Sequence, residues 1–155
     1  MALPPSLRLG DFSFQPPSGW SSQLLATGPL EGSFRPNFIA LATPSLPDET
    51  AEQFAARTAG EARQNVVAYQ IVKEGNATFG EVSGWLRHHT FLQGSMRIGQ
   101  LQLYVVSDGV ARTLTFTHLA DRLEGARALA DELFCSIRLF PLSTERFKFE
   151  GSVRG

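Results

Sequence analysis

The chain has 155 residues, 19% charged and 43% hydrophobic, with a formal net charge of −1. That length suits one domain with a sizeable core, and the near-neutral balance leaves no basic surplus to grip phosphates, which argues against nucleic acid as the main partner. Cys135 is the single cysteine, which excludes an internal disulfide and weakly favours the cytosol.

The opening MALPPSLRLGDFSF carries two prolines and no long apolar run. It does not read as a secretory signal peptide, and no stretch approaches the roughly 18 apolar residues of a spanning helix. DFSFQP reads as a short strand with Phe12 and Phe14 on one face. GWSSQLLATG reads as a second strand and FRPNFIALAT as a third, with Pro36 suiting an irregular or edge start. Pro44 and Pro47 then bracket a loop. In ETAEQFAARTAGEARQNV, Thr50 and Gln53 have the capping-box spacing. Ala51, Phe54, Ala55, Thr58, Ala62 and Val66 fall on one helical stripe, and Gly60 weakens it only modestly. AYQIV reads as a strand and KEGNATFG as a turn. EVSGWLRHHTFLQ, MRIGQLQLYVVS and VARTLTFTHL are three longer strands. DRLEGARALADELFCSIRL closes the series as a helix, with Asp121 and Glu124 suited to a capped start. Its apolar stripe is Ala126, Leu129, Ala130, Leu133, Phe134 and Ile137. FPLSTERFKFEGSVRG shows no period, so residues 1–140 are read as a single α+β domain and 141–155 as a partly flexible C-terminal extension. The order predicts an antiparallel sheet of about six strands with two helices packed on one face, because two helices can cover one side but not both.

Asp108-Gly109 is a strong two-residue hairpin turn. It sets Ser107 opposite Val110, Tyr104 opposite Thr113, Gln102 opposite Thr115 and Gln100 opposite Thr117. On the other face Leu103 meets Leu114 and Leu101 meets Phe116. Gly94-Ser95 makes a similar turn one hairpin earlier. It places Trp85 by Tyr104, Arg87 by Gln102, His89 by Gln100 and Phe91 by Ile98, with Leu86 beside Leu103 on the core side. The segregation of side chains supports this register. The mixed face has no Lys or Glu, one Arg and several large apolar groups, which is the pattern of an interaction surface. Glutamine adds an amide that both donates and accepts. A homodimer interface, or a face covered by the C-terminal tail, would explain the same pattern.

His88 and His89 are adjacent in a strand and point to opposite faces. His118 shares a side with His88 but no third ligand follows at a usual spacing, so no metal or cofactor is expected. Cys135 sits in the last helix between Phe134 and Ile137, expected to be half buried, with no oriented base; no catalytic residue is assigned. There is no phosphate-binding glycine loop. Asp48, Glu49 and Glu52 at a helix start are explained by the helix dipole.

The run FSFQPPSGW, RPNFIALAT, DETAEQFAAR, GQLQLYVVSDGVARTLTFTH and ARALADELFCSIRL, across roughly residues 8 to 140, resembles a bacterial domain family. That family includes the DcrB lipoprotein and the Eag chaperones, the effector-associated proteins of type VI secretion. The resemblance implies a PsbP-like α/β sandwich. With no lipobox cysteine near the start, the chain looks more like the Eag chaperones. It is then a cytoplasmic homodimer that shields the apolar N-terminal transmembrane segments of a secreted effector and meets the secretion spike through that effector, with no membrane insertion of its own. Gln100 and Gln102 look like the family's sheet glutamines, and Leu25 and Thr27 like its paired β-branched positions. With the face read from the register, the client-binding set is Leu25, Thr27, Trp85, Arg87, His89, Phe91, Ile98, Gln100, Gln102, Tyr104, Thr113 and Thr115. On this reading Gln102→Ala costs binding and barely changes folding. Two alternatives remain: a DcrB-like periplasmic or surface-associated binding domain, and an enzyme or small-ligand binder using Trp85, Arg87, His89 and Tyr104.

Overall fold

The computed structural model describes residues 7–9, 12–14, 17, 20 and 22–139. Strands β1 (Leu7–Leu9) and β2 (Phe12–Phe14) form a small antiparallel pair. The rest is β3 (Ser22–Thr27), β4 (Asn37–Pro44), α1 (Ala51–Asn65), β5 (Val67–Phe79), β6 (Val82–Gln93), β7 (Met96–Ser107), β8 (Val110–Leu119) and α2 (Arg127–Cys135). The six long strands make one antiparallel sheet in the order β3-β4-β8-β7-β6-β5. The α+β class and the six-stranded sheet are those expected from the sequence.

The register is also the expected one. Asp108 and Gly109 both have positive φ, 54° and 74°, as the tight hairpin requires. Every pair inferred from that turn is present, from Ser107 with Val110 to Gln100 with Thr117. The β6–β7 pairs follow likewise, including Trp85 with Tyr104 and His89 with Gln100. β4 extends both faces: Ile39 lies beside Thr115 and Phe38 beside Phe116.

The helices depart from expectation, for they pack on opposite faces. α2 lies on the leucine face. Ala130 and Phe134 are buried there with Leu101, Leu103, Leu114 and Phe116, and the Phe134 ring sits 5.9 Å from Phe38 and 5.0 Å from Phe79. α1 lies on the mixed face, where Phe54 and Ala55 pack with Tyr104 and Ala111, flanked by Trp85 and Val106. Phe54 meets Tyr104 edge to face at 5.8 Å, a favoured aromatic geometry. The reason is visible in the strands. One end of the mixed face is apolar, and an amphipathic helix gains more by burying that end than by crowding a second helix onto the leucines.

Three smaller differences share a cause, tertiary pairing overriding local preference. KEGNATFG is not a turn: β5 runs through it, with Gly75 opposite Leu86 and Asn76 opposite Trp85. The turn falls instead at Gly80, whose φ is +58°. The last helix starts at Arg127 without a side-chain cap; residues 121–126 form turns that bury Leu123. Cys135 is exposed rather than half buried, because Phe134 takes the inward position. The C-terminal extension from 141 lies outside the described residues, whereas Thr50 and Gln53 form the capping box as expected.

Gly84 shows how closely the β6 and β7 backbones approach. A Cβ there would lie 2.1 Å from the Tyr104 carbonyl oxygen. No described helix is long and apolar enough to cross a membrane.

Candidate functional site: a half-covered sheet face

α1 divides the mixed face. It packs over β5, β6 and β7 and reaches β8 at Ala111, near the hairpin end. The β3–β4–β8 half carries no described helix. Register places Leu25 beside Ile39 and Ile39 beside Thr115, with Leu41 beside Thr113. Leu25 is 59% exposed and Leu41 36%; Ile39 and Thr113 are half-buried. Thr115 and Thr117 are buried on the floor.

Two rungs of hydrogen bonds cross the mixed face from β5 to β8 and end at the floor of this open half. In the first, Arg87 is anchored at three points. Its Nε donates to Glu74 Oε2 at 2.9 Å, its Nη2 to the Ala55 carbonyl at 2.7 Å and its Nη1 to the Tyr104 hydroxyl at 3.2 Å. The Tyr104 hydroxyl donates to Gln102 Oε1, and Gln102 Nε2 donates to Thr115 Oγ1 at 3.1 Å. Arg87 therefore ties α1 to the sheet while 2% exposed, as a buried charge requires partners. Burial pushes the Glu74 carboxyl up, but hydrogen bonds from Trp85 and Arg87, with the Arg87 charge, outweigh it and hold Glu74 below the usual carboxylate range.

In the second rung the Tyr69 hydroxyl lies 2.8 Å from His89 Nδ1, and His89 Nε2 lies 2.7 Å from Gln100 Oε1. Gln100 Nε2 donates to Thr117 Oγ1 at 3.0 Å. Because Gln100 Oε1 accepts, Nε2 carries the imidazole proton and Nδ1 accepts from Tyr69. Burial depresses His89 to about 4, with the Gln100 hydrogen bond opposing that fall and Arg87 adding to it. His89 is thus neutral at pH 7. It is 4% exposed.

These contacts sort the expected client-binding residues. Leu25, Thr27 and Thr113 lie on the open half, with Thr115 on its floor. Gln100 and Gln102 border it, half-buried. Arg87, His89, Ile98 and Tyr104 are buried, and Trp85 and Phe91 half-buried, so these six do not form an open wall. For Arg87 and Tyr104 the cause is α1. Gln102→Ala is no longer a neutral change for folding, since its amide joins Tyr104 to Thr115. Ile39 and Leu41 were missed, although their alternation in NFIALAT, continued across to Thr115 and Thr113, was the available signal.

His88 and His89 do face opposite ways. His118, buried on the α2 side, pairs with Glu31 and stacks on Phe34 at 5.7 Å, fastening the β3–β4 connection. Among the described residues no cluster of His, Cys, Asp or Glu could hold a metal ion. A shallow hollow of about 450 Å³ lies between the start of α1 and the β5–β6 hairpin, lined by Thr50, Asn76, Thr78 and Ser83 among others. It is separate from the open face.

Comparison with known proteins bears on the fold. No family model and no curated protein matches the chain. Among solved structures it is similar to PA94 of Pseudomonas aeruginosa, a protein of unknown function. They share 14% identity at a TM-score of 0.74, over 90% of this chain and 99% of that one. It is also similar to LpqN of Mycobacterium tuberculosis, involved in cell envelope biogenesis, with 15% identity, a TM-score of 0.48 and coverage of 76% and 82%. A third is the cyanobacterial PsbP, CyanoP, of Synechocystis sp. PCC 6803, with 15% identity, a TM-score of 0.46 and coverage of 87% and 92%. At these identities the likeness concerns the fold alone.

Proposed function

We propose that the protein is a non-catalytic chaperone or adaptor that shields an apolar helix of a secreted effector on the open half of its sheet. The observation that carries this reading is the β3–β4–β8 surface, which carries no helix among the described residues. Leu25 and Leu41 stand exposed on it around Ile39, with Thr113 and Thr115 beside them and Gln100 and Gln102 at the border. Such a surface covers apolar side chains yet can satisfy stray polar atoms, which suits a membrane-type helix held in water. The sequence resemblance to the Eag chaperones supports a type VI secretion effector as client, a homodimer as the working form and the cytoplasm as the place of action. The docking reading is favoured over a pocket of Trp85, Arg87, His89 and Tyr104 by the burial of three of those four, Arg87 and Tyr104 beneath α1.

The test is co-expression of the full chain with an N-terminal fragment of a type VI effector from the same genome, carrying its apolar helices. The wild type is expected to keep the fragment soluble and co-purify with it, and Leu25→Asp with Leu41→Asp to lose it while staying folded. Equal retention by that variant, or none by the wild type, would overturn the reading.

A further inference from the structure

Arg112 differs from Arg87 in how much of its hydrogen-bonding capacity the fold takes up. It alternates along β8 with Leu114 and Phe116, so it lies on the α2 side of the sheet, opposite the open half described above. Register sets it between the buried Val105 of β7 and Ala42 of β4. The side chain is half-buried. Its Nη1 donates to Ser107 Oγ at 3.0 Å and lies 3.5 Å from the Val110 carbonyl oxygen. Both partners flank the Asp108-Gly109 turn. Arg87 has protein acceptors on Nε, Nη1 and Nη2. Among the described residues, Nε and Nη2 of Arg112 have none, and no carboxylate pairs with it. Those two N–H groups lie parallel on one edge of the guanidinium plane, the fork that takes both oxygens of a carboxylate. Burial holds Arg112 below the usual arginine range, with the Asp108 charge opposing that fall. It remains a cation all the same, and a cation drawn partly out of water is stabilised by a counter-charge.

We propose that Arg112, oriented by Ser107, is a docking point for one carboxylate on the α2 side of the sheet. The free fork fits a planar oxyanion through two parallel hydrogen bonds. Asp108 acts on Arg112 through space, so a dianionic phosphate meets repulsion that a singly charged carboxylate largely escapes. The carboxylate is a free monocarboxylate or an acidic side chain of a protein; the two share the chemistry that the fork reads. Ser107 is a positioning residue here. It holds Nη1 and so sets the plane of the fork without touching the carboxylate. The site lies on the other face from Leu25 and Leu41 and is independent of the docking function proposed above.

The experiment is NMR of the isotope-labelled full-length protein, titrated with sodium acetate and, separately, sodium phosphate at constant ionic strength and mildly acid pH. The arginine Nε–H signals and the backbone amides of Ser107 and Val110 are followed. Acetate should shift the Arg112 Nε–H saturably, with a midpoint roughly tenfold below those of the exposed Arg35 and Arg122, the gain of about one charge-assisted hydrogen bond. Phosphate should bind more weakly than acetate. In Arg112→Lys, which keeps the charge but has no fork, the Ser107 and Val110 amides should lose the saturable response. Ser107→Ala should weaken it severalfold. N-acetylglutamate α-amide identifies the source: tighter binding than acetate points to an acidic side chain of a protein, equal binding to a free carboxylate, and either supports the site. Titration of Arg112 no tighter than that of Arg35 and Arg122 would overturn the proposal. So would phosphate binding as tightly as acetate, or an acetate response that survives in Arg112→Lys.

Discussion

Glu74 and Arg87 form an ion pair whose two halves should respond unequally to removal, and against the order of their exposure. The Arg87 side chain is 2% exposed and that of Glu74 33%. An exposed carboxylate is ordinarily replaced at a cost within about 0.5 kcal/mol. Here Glu74→Ala leaves a guanidinium buried beneath α1 without its counter-charge, a loss of about 3–5 kcal/mol for a broken buried pair. It also takes the acceptor from Trp85 Nε1. Arg87→Met is the milder change. Glu74 regains water, the Ala55 carbonyl still accepts from the Thr58 hydroxyl at 2.9 Å, and Tyr104 keeps Gln102. Methionine fills most of the space, so the cost should be about 2 kcal/mol, near one charge-assisted hydrogen bond. The double variant should then resemble Arg87→Met, with a coupling energy of a few kcal/mol. Urea unfolding of the four proteins measures the cycle. Glu74→Ala within about 0.5 kcal/mol of the wild type would refute the claim that this pair pins α1 to the sheet.

Two further outcomes are expected. Because His89 falls from 6.5 to about 4 on folding, the unfolded chain binds the extra proton between those values, so stability drops as pH falls from about 6.5 to 4, by about 3 kcal/mol in all; His89→Gln should lack this portion of the acid loss in pH-dependent unfolding, and an unchanged curve would refute the assignment. Leu103→Ala should cost about 2–5 kcal/mol as a core truncation and Gln102→Ala about 1–3 kcal/mol, because the buried Tyr104 hydroxyl loses its acceptor; denaturant midpoints that leave Gln102→Ala at wild-type stability would show that the rung bears no load.

The strands were legible because their signals are local. Asp108-Gly109 fixes one register, and each leucine or threonine then falls on a definite face. Thr50 and Gln53 announce α1 for the same reason. Which face a helix covers is not local. Both helices carry similar apolar stripes, and either would fit the leucine face. The information lay in Trp85, Tyr104, Val106 and Ala111, an apolar patch assembled from three strands that seats α1. Read as a binding surface, the same residues pointed to a client instead. Arg87 was the sharper clue, since a lone charge in such company is best satisfied by a helix carbonyl. The candidate site shows the same division. Gln100 and Gln102 were placed on the correct face by alternation, yet their partners Tyr104, Thr115 and Thr117 stand along and across strands. Ile39 and Leu41 enter only once β4 is set beside β8.

The central claim is that the β3–β4–β8 half of the mixed face receives an apolar helix. Methyl-labelled NMR of the full chain, titrated with a lysine-flanked Leu/Ala helix of about 20 residues, tests it most directly. The account expects saturable shifts at Leu25, Ile39, Leu41 and Thr113, with Leu101, Leu103 and Leu114 under α2 unmoved. Shifts confined to the α2 face, or no saturable shift at Leu25 and Leu41, would contradict it.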